Sequence, residues 1–485
     1  MDEYEVQQLV AAGLTLLQRS APLVRALSGK RAAILLPTSP QFFIALAACE
    51  GRGAVLIDPQ ASPSEISHQL ADARVGAVFT NASLASTLPD AVPRVIFDDG
   101  IRAARVSIDG SVRDVDLGSH HGLAIEGDTD AAGSDEEAVI VYTSAMAGRP
   151  LGAVLSHRNL LANARSTLAA SGNAHDDRVL ALLPFSHLFG LTVTASAPLL
   201  CGATVVTMPH FQPSRAAELI ANGEITEIAG VPTVFRALLA VMKQRGGRTD
   251  VGALRKCVCG GAPLPISLQD RWYDVTGIEL RQGYGLTEAA PVILSNAADR
   301  ANSRGTLGVP IPNVAVELRT PVRYDTRGLP LPESFEAEGA ESVELPQASD
   351  RGEICVRGDN VFRGYVSGGE RGLPVRQGWL YTGDVGQRNE DGTISFLYTS
   401  KPMFTRDGFN VYPHEIELVV SGMPGVAAAT ARATGAADDD SELEIELTVR
   451  AATAGPHPPV TVDGVHAWCA AHLSAYKRPH SIIIL

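Results

Sequence analysis

The stretch Val139-Ile-Val-Tyr-Thr-Ser-Ala-Met-Ala-Gly-Arg-Pro-Leu-Gly-Ala-Val-Leu-Ser-His-Arg-Asn-Leu160 decides the fold. Its apolar, β-branched opening, Val139 to Tyr142, reads as a buried strand. A loop of small residues follows, punctuated by Gly148, Pro150 and Gly152. Val154 and Leu155 suggest a second short strand. Ser156 stands where it can cap a helix starting near His157. Strand, small-residue loop, strand and capped helix is an arrangement that aims backbone N–H groups at a phosphate.

Working outward, the same alternation continues on both sides. Residues 5–28 have helical spacing, residues 31–36 read as a strand, and Pro40 opens a helix through Ala48. A strand at 54–57 is followed by a helix at 62–71, whose Ser62-x-x-Glu65 start is a capping box. Another strand follows at 75–80. The polar segment 99–137 reads as a connection. Beyond the central stretch come a helix (159–171), a strand (203–208), a helix (213–222), a strand (227–231), a helix (232–243) and a further β unit at 254–260. Alternating β and α units imply an α/β fold with parallel sheets covered by helices.

Composition narrows the classes. The chain has 485 residues, 45% hydrophobic and 19% charged, enough for two or three lobes around a large core. Its net charge of -14 argues against general nucleic-acid binding, which needs a basic stripe. The six cysteines are scattered, as expected for reduced thiols in a cytoplasmic protein. Cys257-x-Cys259 is too tight and isolated for a zinc site. The start, Met-Asp-Glu-Tyr-Glu, is not that of a signal peptide. The apolar run 179–208 is broken by Pro184, Gly190, Pro198 and Gly202, so two buried elements are expected there and no membrane span.

Several short motifs lie in order along the chain. They are Leu183-Pro-Phe-Ser-His-Leu-Phe-Gly190, Cys259-Gly-Gly-Ala-Pro-Leu264, Arg281-Gln-Gly-Tyr-Gly-Leu-Thr-Glu288 and Gly305-Thr-Leu-Gly-Val-Pro310. Next come Gly378-Trp-Leu-Tyr-Thr-Gly-Asp384, Tyr398-Thr-Ser-Lys-Pro402, Asp407-Gly-Phe-Asn-Val-Tyr-Pro-His-Glu-Ile-Glu417 and Ala475-Tyr-Lys-Arg-Pro479. With the central loop, this series resembles the adenylate-forming superfamily, which includes acyl-CoA synthetases, fatty acyl-AMP ligases, aryl-CoA ligases, luciferases and peptide-synthetase adenylation domains.

The resemblance implies a large N-terminal domain, residues 1–398, of stacked α/β subdomains plus a β-barrel-like one. A small mobile α+β domain, residues 399–485, would follow. It implies ATP/AMP as nucleotide, Mg²⁺ on Glu288, a small-molecule carboxylic acid as substrate, and CoA or a phosphopantetheine acyl carrier protein as acceptor. Thr143 and Ser144 of the loop, Gly260, Gly261 and Ala262 of the glycine turn, and Tyr284, Gly285, Thr287 and Asp384 would hold the nucleotide. Tyr284 would stack on adenine, Thr287 donate to the α-phosphate, and Asp384 accept from both ribose hydroxyls. His187, Gly190, Gln282, Gly283 and Gly308 would line the acid pocket. His187, Thr287, Glu288 and Lys401 are the expected catalytic set, with Lys401 at the hinge of the small domain. Without the resemblance, His187 reads first as a core histidine satisfied by the backbone; with it, that reading and the pocket role stand level.

The departures matter as much. The superfamily loop is usually Tyr-Thr-Ser-Gly-Thr-Thr-Gly-x-Pro-Lys-Gly; here Met146, Ala147 and Leu151 replace two threonines and the lysine. Thr399 stands where the hinge motif has an arginine. The usual catalytic lysine lies beyond Lys477, so the sequence reads as ending early at Leu485. The adenosine half of the site is therefore kept and the pyrophosphate half depleted of donors that stabilise a leaving anion. Three readings stay open at this point: a ligase that adenylates a carboxylic acid with ATP and passes the acyl group to CoA, a carrier thiol or an amine; a transferase that uses a preformed acyl-adenylate or thioester; and a non-catalytic nucleotide or acyl binder. The acidic, proline-broken segment 321–350 reads as an exposed insertion.

Overall fold

A computed structural model describes residues 4–49, 53–118, 134–143, 150–243, 250–324, 330–331, 348–366, 374–406, 408–435, 443–452 and 459–485. The deciding stretch lies inside its first sheet. Strand Glu137–Thr143 runs parallel to Ala54–Leu56 and antiparallel to Leu151–Ser156. Ser156 caps the helix His157–Ser171 through the Asn159 amide, and the Asn159 side chain returns the bond to Ser156 N–H. The sheet continues through Arg31–Leu35, Val75–Asn81 and Arg94–Phe97. Both faces of Arg31–Leu35 are apolar and buried, as a strand covered by helices requires.

Two expectations need correction here. The helical run 5–28 is two helices, Val6–Arg19 and Ala21–Ala26, because Ser20 leaves helical geometry and caps the second, which has Pro22 in its first turn. The polar connection 99–137 contains a hairpin, Ala103–Ile108 and Ser111–Asp116, that forms the edge of the sheet. Ala104, Val106 and Ile108 alternate inward, and Asp109-Gly110, both at positive φ, make the turn.

The second sheet holds Thr204–Thr207, Arg178–Ala181, Glu227–Gly230, Lys256–Cys259 and Leu280–Gly285, all parallel, with Val292–Ser295 and Val309–Pro310 added antiparallel. Helices Pro213–Ala221, Pro232–Lys243 and Ile266–Thr276 cover one face, burying Ile228, Phe235, Cys257, Trp272 and Leu280. The long apolar run is strand, helical segment (Phe189–Ser196, then Ala197–Leu200) and strand.

A third, antiparallel sheet is built on Ala315–Arg319, Arg351–Arg357, Trp379–Arg388 and Ile394–Thr399. Thr399 still pairs with Asp384, so the chain leaves this sheet only after it. Most of the expected insertion, 325–329 and 332–347, lies outside the described residues. The small C-terminal lobe packs helices Pro413–Ser421 and Val462–His472 on a sheet of Val426–Thr434, Glu444–Ala451 and Ser481–Ile484. Its own core contains Ile416, Val420, Ile445, Leu447, Val449, Val465 and Cys469. A hairpin, Phe404–Arg406 and Phe409–Val411, projects from this lobe toward the large one.

Candidate active site

The carboxyl ends of the parallel strands in the second sheet open into a cleft of about 1050 Å³, closed on its other sides by the first sheet and the small lobe. Ligand crevices of open α/β sheets form at this end of the strands. Gly260, Gly261 and Ala262 follow one strand, Tyr284 and Gly285 end its neighbour, and Thr287 and Glu288 follow that; all line the cleft.

Tyr284 donates its hydroxyl to Asp384 Oδ2 at 2.8 Å, fixing the ring and the carboxylate as a unit. Burial pushes the Asp384 carboxyl up, while Lys401, Tyr284 and Thr399 pull it back. Behind it, Glu353 is fully buried and accepts Gly383 N–H at 2.8 Å, Val322 N–H at 3.0 Å and the Tyr324 hydroxyl. The Lys401 stem lies against Gly383, and its ammonium sits 5.7 Å from the Tyr324 ring centre. The positive charge of Lys401 therefore acts on both buried carboxylates, Glu353 and Asp384, beside Gly383.

Glu288 is buried, and Oε1 accepts the Tyr365 hydroxyl at 2.8 Å. No described residue bonds Oε2, so that oxygen can face a cation. A lone carboxylate suits Mg²⁺, which takes one or two protein carboxylates beside phosphate oxygens and water. Among the described residues there is no cluster of three metal-ligating side chains.

His187 lies at the junction of this cleft with a second cavity of about 340 Å³ on the lobe seam. Burial depresses its pKa to about 4, so the ring is neutral at pH 7. Its Nδ1 accepts the Phe189 N–H at 3.2 Å, which leaves the proton on Nε2. The alternative of a histidine satisfied by the backbone is thus met at Nδ1, with Nε2 available as a donor. Phe409 of the small lobe meets the His187 ring edge-on at 5.8 Å and stacks on Tyr476 at 4.3 Å. Gly408 lies over Val231 and Gly261; with φ near +80° and a would-be Cβ 2.4 Å from Val231 Cγ1, no other residue fits there.

Sequence reasoning missed the contact that joins the lobes. Lys477, with 2% of its side chain exposed, donates to Glu65 Oε1 of the large lobe at 2.8 Å and to Glu415 Oε1 of its own lobe at 2.7 Å. Ser474 donates to Glu65 Oε2 at 2.5 Å. Burial alone would raise Glu65, but Lys477, Ser474 and the Ser62 amide hold it below the usual glutamate range. Burial also opposes the charged amine, yet Tyr476, Glu415 and Glu65 hold Lys477 well above the usual lysine value. Glu65 read as half of a capping box, which it is; nothing local signals its second partner, 412 residues away.

Of the expected residues, Thr143, His187, Gly260, Gly261, Ala262, Gln282, Gly283, Tyr284, Gly285, Thr287, Glu288, Asp384 and Lys401 come together on the cleft. Ser144, with Met146 and Ala147, lies outside the described residues. Gly190 and Gly308 are not among the described residues that line it. A Cβ at Gly190 would stand 2.3 Å from Pro184 O, and one at Gly308 2.1 Å from the Ser295 carbonyl carbon, so both glycines serve close backbone approach instead of the pocket. Leu151 is packed against the core of the large lobe.

Comparison with known proteins agrees with this geometry. A family model described as AMP-binding enzyme matches residues 23–366. A feruloyl-CoA synthase of an Amycolatopsis species is 31% identical over 458 residues, covering 94% of this chain and 84% of its own. A long-chain-fatty-acid–CoA ligase of Salmonella typhimurium is 28% identical over 486 residues, covering 94% and 82%. Among solved structures, a malonyl-CoA ligase in a ternary product complex with methylmalonyl-CoA and AMP superposes with a TM-score of 0.74 at 25% identity, covering 96% of this chain and 92% of that one. The amide bond synthetase McbA from Marinactinospora thermotolerans shares the fold, with a TM-score of 0.74, 24% identity and coverage of 99% and 90%. The chain belongs to the AMP-binding enzyme family and is an adenylate-forming ligase.

Proposed function

We propose that the protein activates an acyl or aryl carboxylic acid as its acyl-adenylate and transfers the acyl group to a thiol. The observation that carries this reading is the meeting of two surfaces on one cleft. The Tyr284–Asp384 pair and the Gly260–Ala262 turn are shaped for adenosine, and the Gly408–Phe409 turn of the small lobe closes over them beside His187. In the first step a carboxylate oxygen attacks the α-phosphorus of ATP, the bond to the β-phosphate oxygen breaks, and pyrophosphate leaves. Thr287 donates to the α-phosphate and Nε2–H of His187 to the acid. Glu288 would hold Mg²⁺, which would supply positive charge where the pyrophosphate departs. In the second step a thiolate attacks the acyl carbon and AMP departs with the mixed-anhydride oxygen.

The seam cavity of about 340 Å³, lined by Gln60, Pro184, Val231, Arg406, Phe409 and Tyr476, also reaches His187 and suits a slender thiol arm. This supports CoA or a phosphopantetheine carrier as acceptor over a bulkier amine. The apolar Phe189, Val193, Val258 and Leu307 around the acid end support an acyl or aryl chain.

A second reading is transfer from a preformed acyl-adenylate. It is favoured by Leu151, packed into the core where the superfamily loop has an ammonium, and by Thr399, which donates to Gly383 O at 3.3 Å. Acid-dependent exchange of labelled pyrophosphate into ATP separates the two. Exchange supports ligation; its absence, with thiol acylation from synthetic acyl-AMP, supports transfer. Absence of both, with AMP bound, overturns each.

A further inference from the structure

Three strands of the second sheet turn one face into the cleft, and their register sets its depth. Glu227 stands opposite Lys256, and Ala229 opposite Val258; on the next strand Val258 stands opposite Arg281. Ile228, Cys257, Cys259 and Leu280 point the other way, into the helix-covered core. The cleft face therefore carries Gly260 and Gly283 nearest the nucleotide end, Val258 below them, and Glu227 beside Lys256 at the floor. A Cβ at Gly283 would find nothing nearer than Leu294 O at 3.7 Å, so the space is open there. Ala170, Ser171 and Ala298 line the opposite wall. Four strand residues separate the Gly260 and Lys256 levels, roughly 13 Å.

The charges at the floor are unequally satisfied. Lys256 donates to Gly172 O at 2.7 Å and Asp177 Oδ2 at 2.8 Å, and lies 4.0 Å from Glu227 Oε2. Arg255 is held by Asp176 at 3.2 Å and Asp177 at 2.7 Å. Arg281 donates to the carbonyls of Asn296, Ala297 and Arg300, and Glu279 accepts from Arg304 and Asn302. Glu227 is 1% exposed, and its only contacts among the described residues, the Asn173 amide and Lys256, both fall on Oε2. Burial pushes this carboxyl up to about 7, against the pull of Lys256. Lys256, Arg255 and Arg281 are each committed to other partners, and Glu227, which lines the cleft, has no donor to Oε1 among the described residues.

We propose that Glu227 is a specificity residue that accepts a hydrogen bond from the far end of the bound acid, so that the cleft selects carboxylic acids bearing a distal hydroxyl. This rests on the acid-activating reading of the cleft. An ω-hydroxyalkanoate and a para-hydroxyaryl acid present the same donor at this depth. A terminal methyl or bare ring would leave the Glu227 oxygen buried and unpaired, a loss that sites built for a hydroxyl register strongly.

The test uses the whole chain and non-hydrolysable acyl-sulfamoyl adenosines made in matched pairs, with and without the distal hydroxyl, in alkyl and aryl series, with AMP as reference. Calorimetric affinity is read for the wild type, Glu227→Gln and Glu227→Leu. In the wild type the hydroxylated member of at least one series binds tenfold or more tighter than its partner, and the series that does so identifies the acid. Glu227→Leu erases or inverts the preference, while AMP binds unchanged to all three proteins. If AMP binds but both members of every pair bind alike, or if the preference survives in Glu227→Leu, the inference falls alone. If neither AMP nor any analogue binds, the acid-activating reading falls and takes the inference with it. Should Glu227→Leu not fold, the wild-type pairs and Glu227→Gln decide.

Discussion

The two ends of the cleft are built by different means. At the nucleotide end, the expected side chains lie within a few residues of a glycine, at the ends of two parallel strands or, for Asp384, beside Gly383 within the strand Trp379–Arg388, and the group is braced from behind. Tyr284 holds Asp384, Glu353 accepts the N–H of the preceding Gly383, and the Lys401 stem packs on that glycine. At the acid end, the walls are single residues from separate strands and helices, and only register makes them neighbours. A short motif can specify the first kind of site. The second is specified by how strands align, so its chemistry can change one side chain at a time while the nucleotide end stays fixed.

The sharpest way to break the contrast is at Asp384. Asp384→Ala removes the acceptor proposed for ribose and the Tyr284 partner together, and nucleotide-dependent activity is expected to fall about a hundredfold, as for lost charge-assisted bonds. Pyrophosphate release and AMP titration check it; an unchanged AMP affinity would separate this residue from the nucleotide.

Lys477→Met breaks a buried ion cluster on one side only, for which the expected cost is about 3–5 kcal/mol. It lowers the thermal midpoint and slows thiol transfer at least tenfold, with a smaller effect on adenylate formation, read by single-turnover assays of each half-reaction. Glu65 has a folded pKa below its unfolded one, so its contribution is complete above the ordinary glutamate range and is lost as pH falls through the depressed value. Lys477 is raised, so its share persists until pH passes well above the ordinary lysine value. The wild-type melting midpoint is therefore flat in its dependence on this cluster near neutrality and loses the cluster's contribution in acid below about pH 4. Lys477→Met lacks that acid component.

Restoring loop donors sharpens the comparison from the other direction. Met146→Thr with Leu151→Lys raises acid-dependent pyrophosphate exchange by about tenfold if one charge-assisted bond is regained. No gain would favour transfer from preformed adenylate. The smallest effect is at His187. With a folded pKa of about 4, it stays neutral through pH 6–8, so it adds no inflection to the rate profile there. Its depressed pKa stabilises the fold above the unfolded histidine value, and that share is lost as pH falls from about 6.5 toward 4. His187→Gln, which can still donate, loses only a few-fold in rate; an inflection that disappears in this variant would contradict the neutral ring.

How much was legible in the sequence follows the same division. Strong alternation and capping chemistry located Arg31–Leu35, Pro40–Cys49 and His157–Ser171 to within a residue or two. The hairpin 103–116 was obscured because Arg105 and Asp114 occupy its outward positions and Arg113 interrupts the inward face between Ser111 and Val115, although Asp109-Gly110 was a usable turn signal. Gly190 and Gly308 drew attention through motif membership, but a glycine in a motif can answer to backbone packing. The partners of Glu65 and Glu227 were beyond reach, since one depends on lobe docking and the other on strand register.

Glu65 has one further consequence. Its carboxylate also accepts the Ser62 amide at 2.8 Å, at the start of a helix whose free N–H groups favour an anion. Were the small lobe to swing aside, Glu65 would keep that berth, and Lys477 would travel with Glu415. Neither side is stranded, so undocking would exchange two cross-lobe bonds, from Lys477 and from Ser474, for hydration without unravelling either lobe.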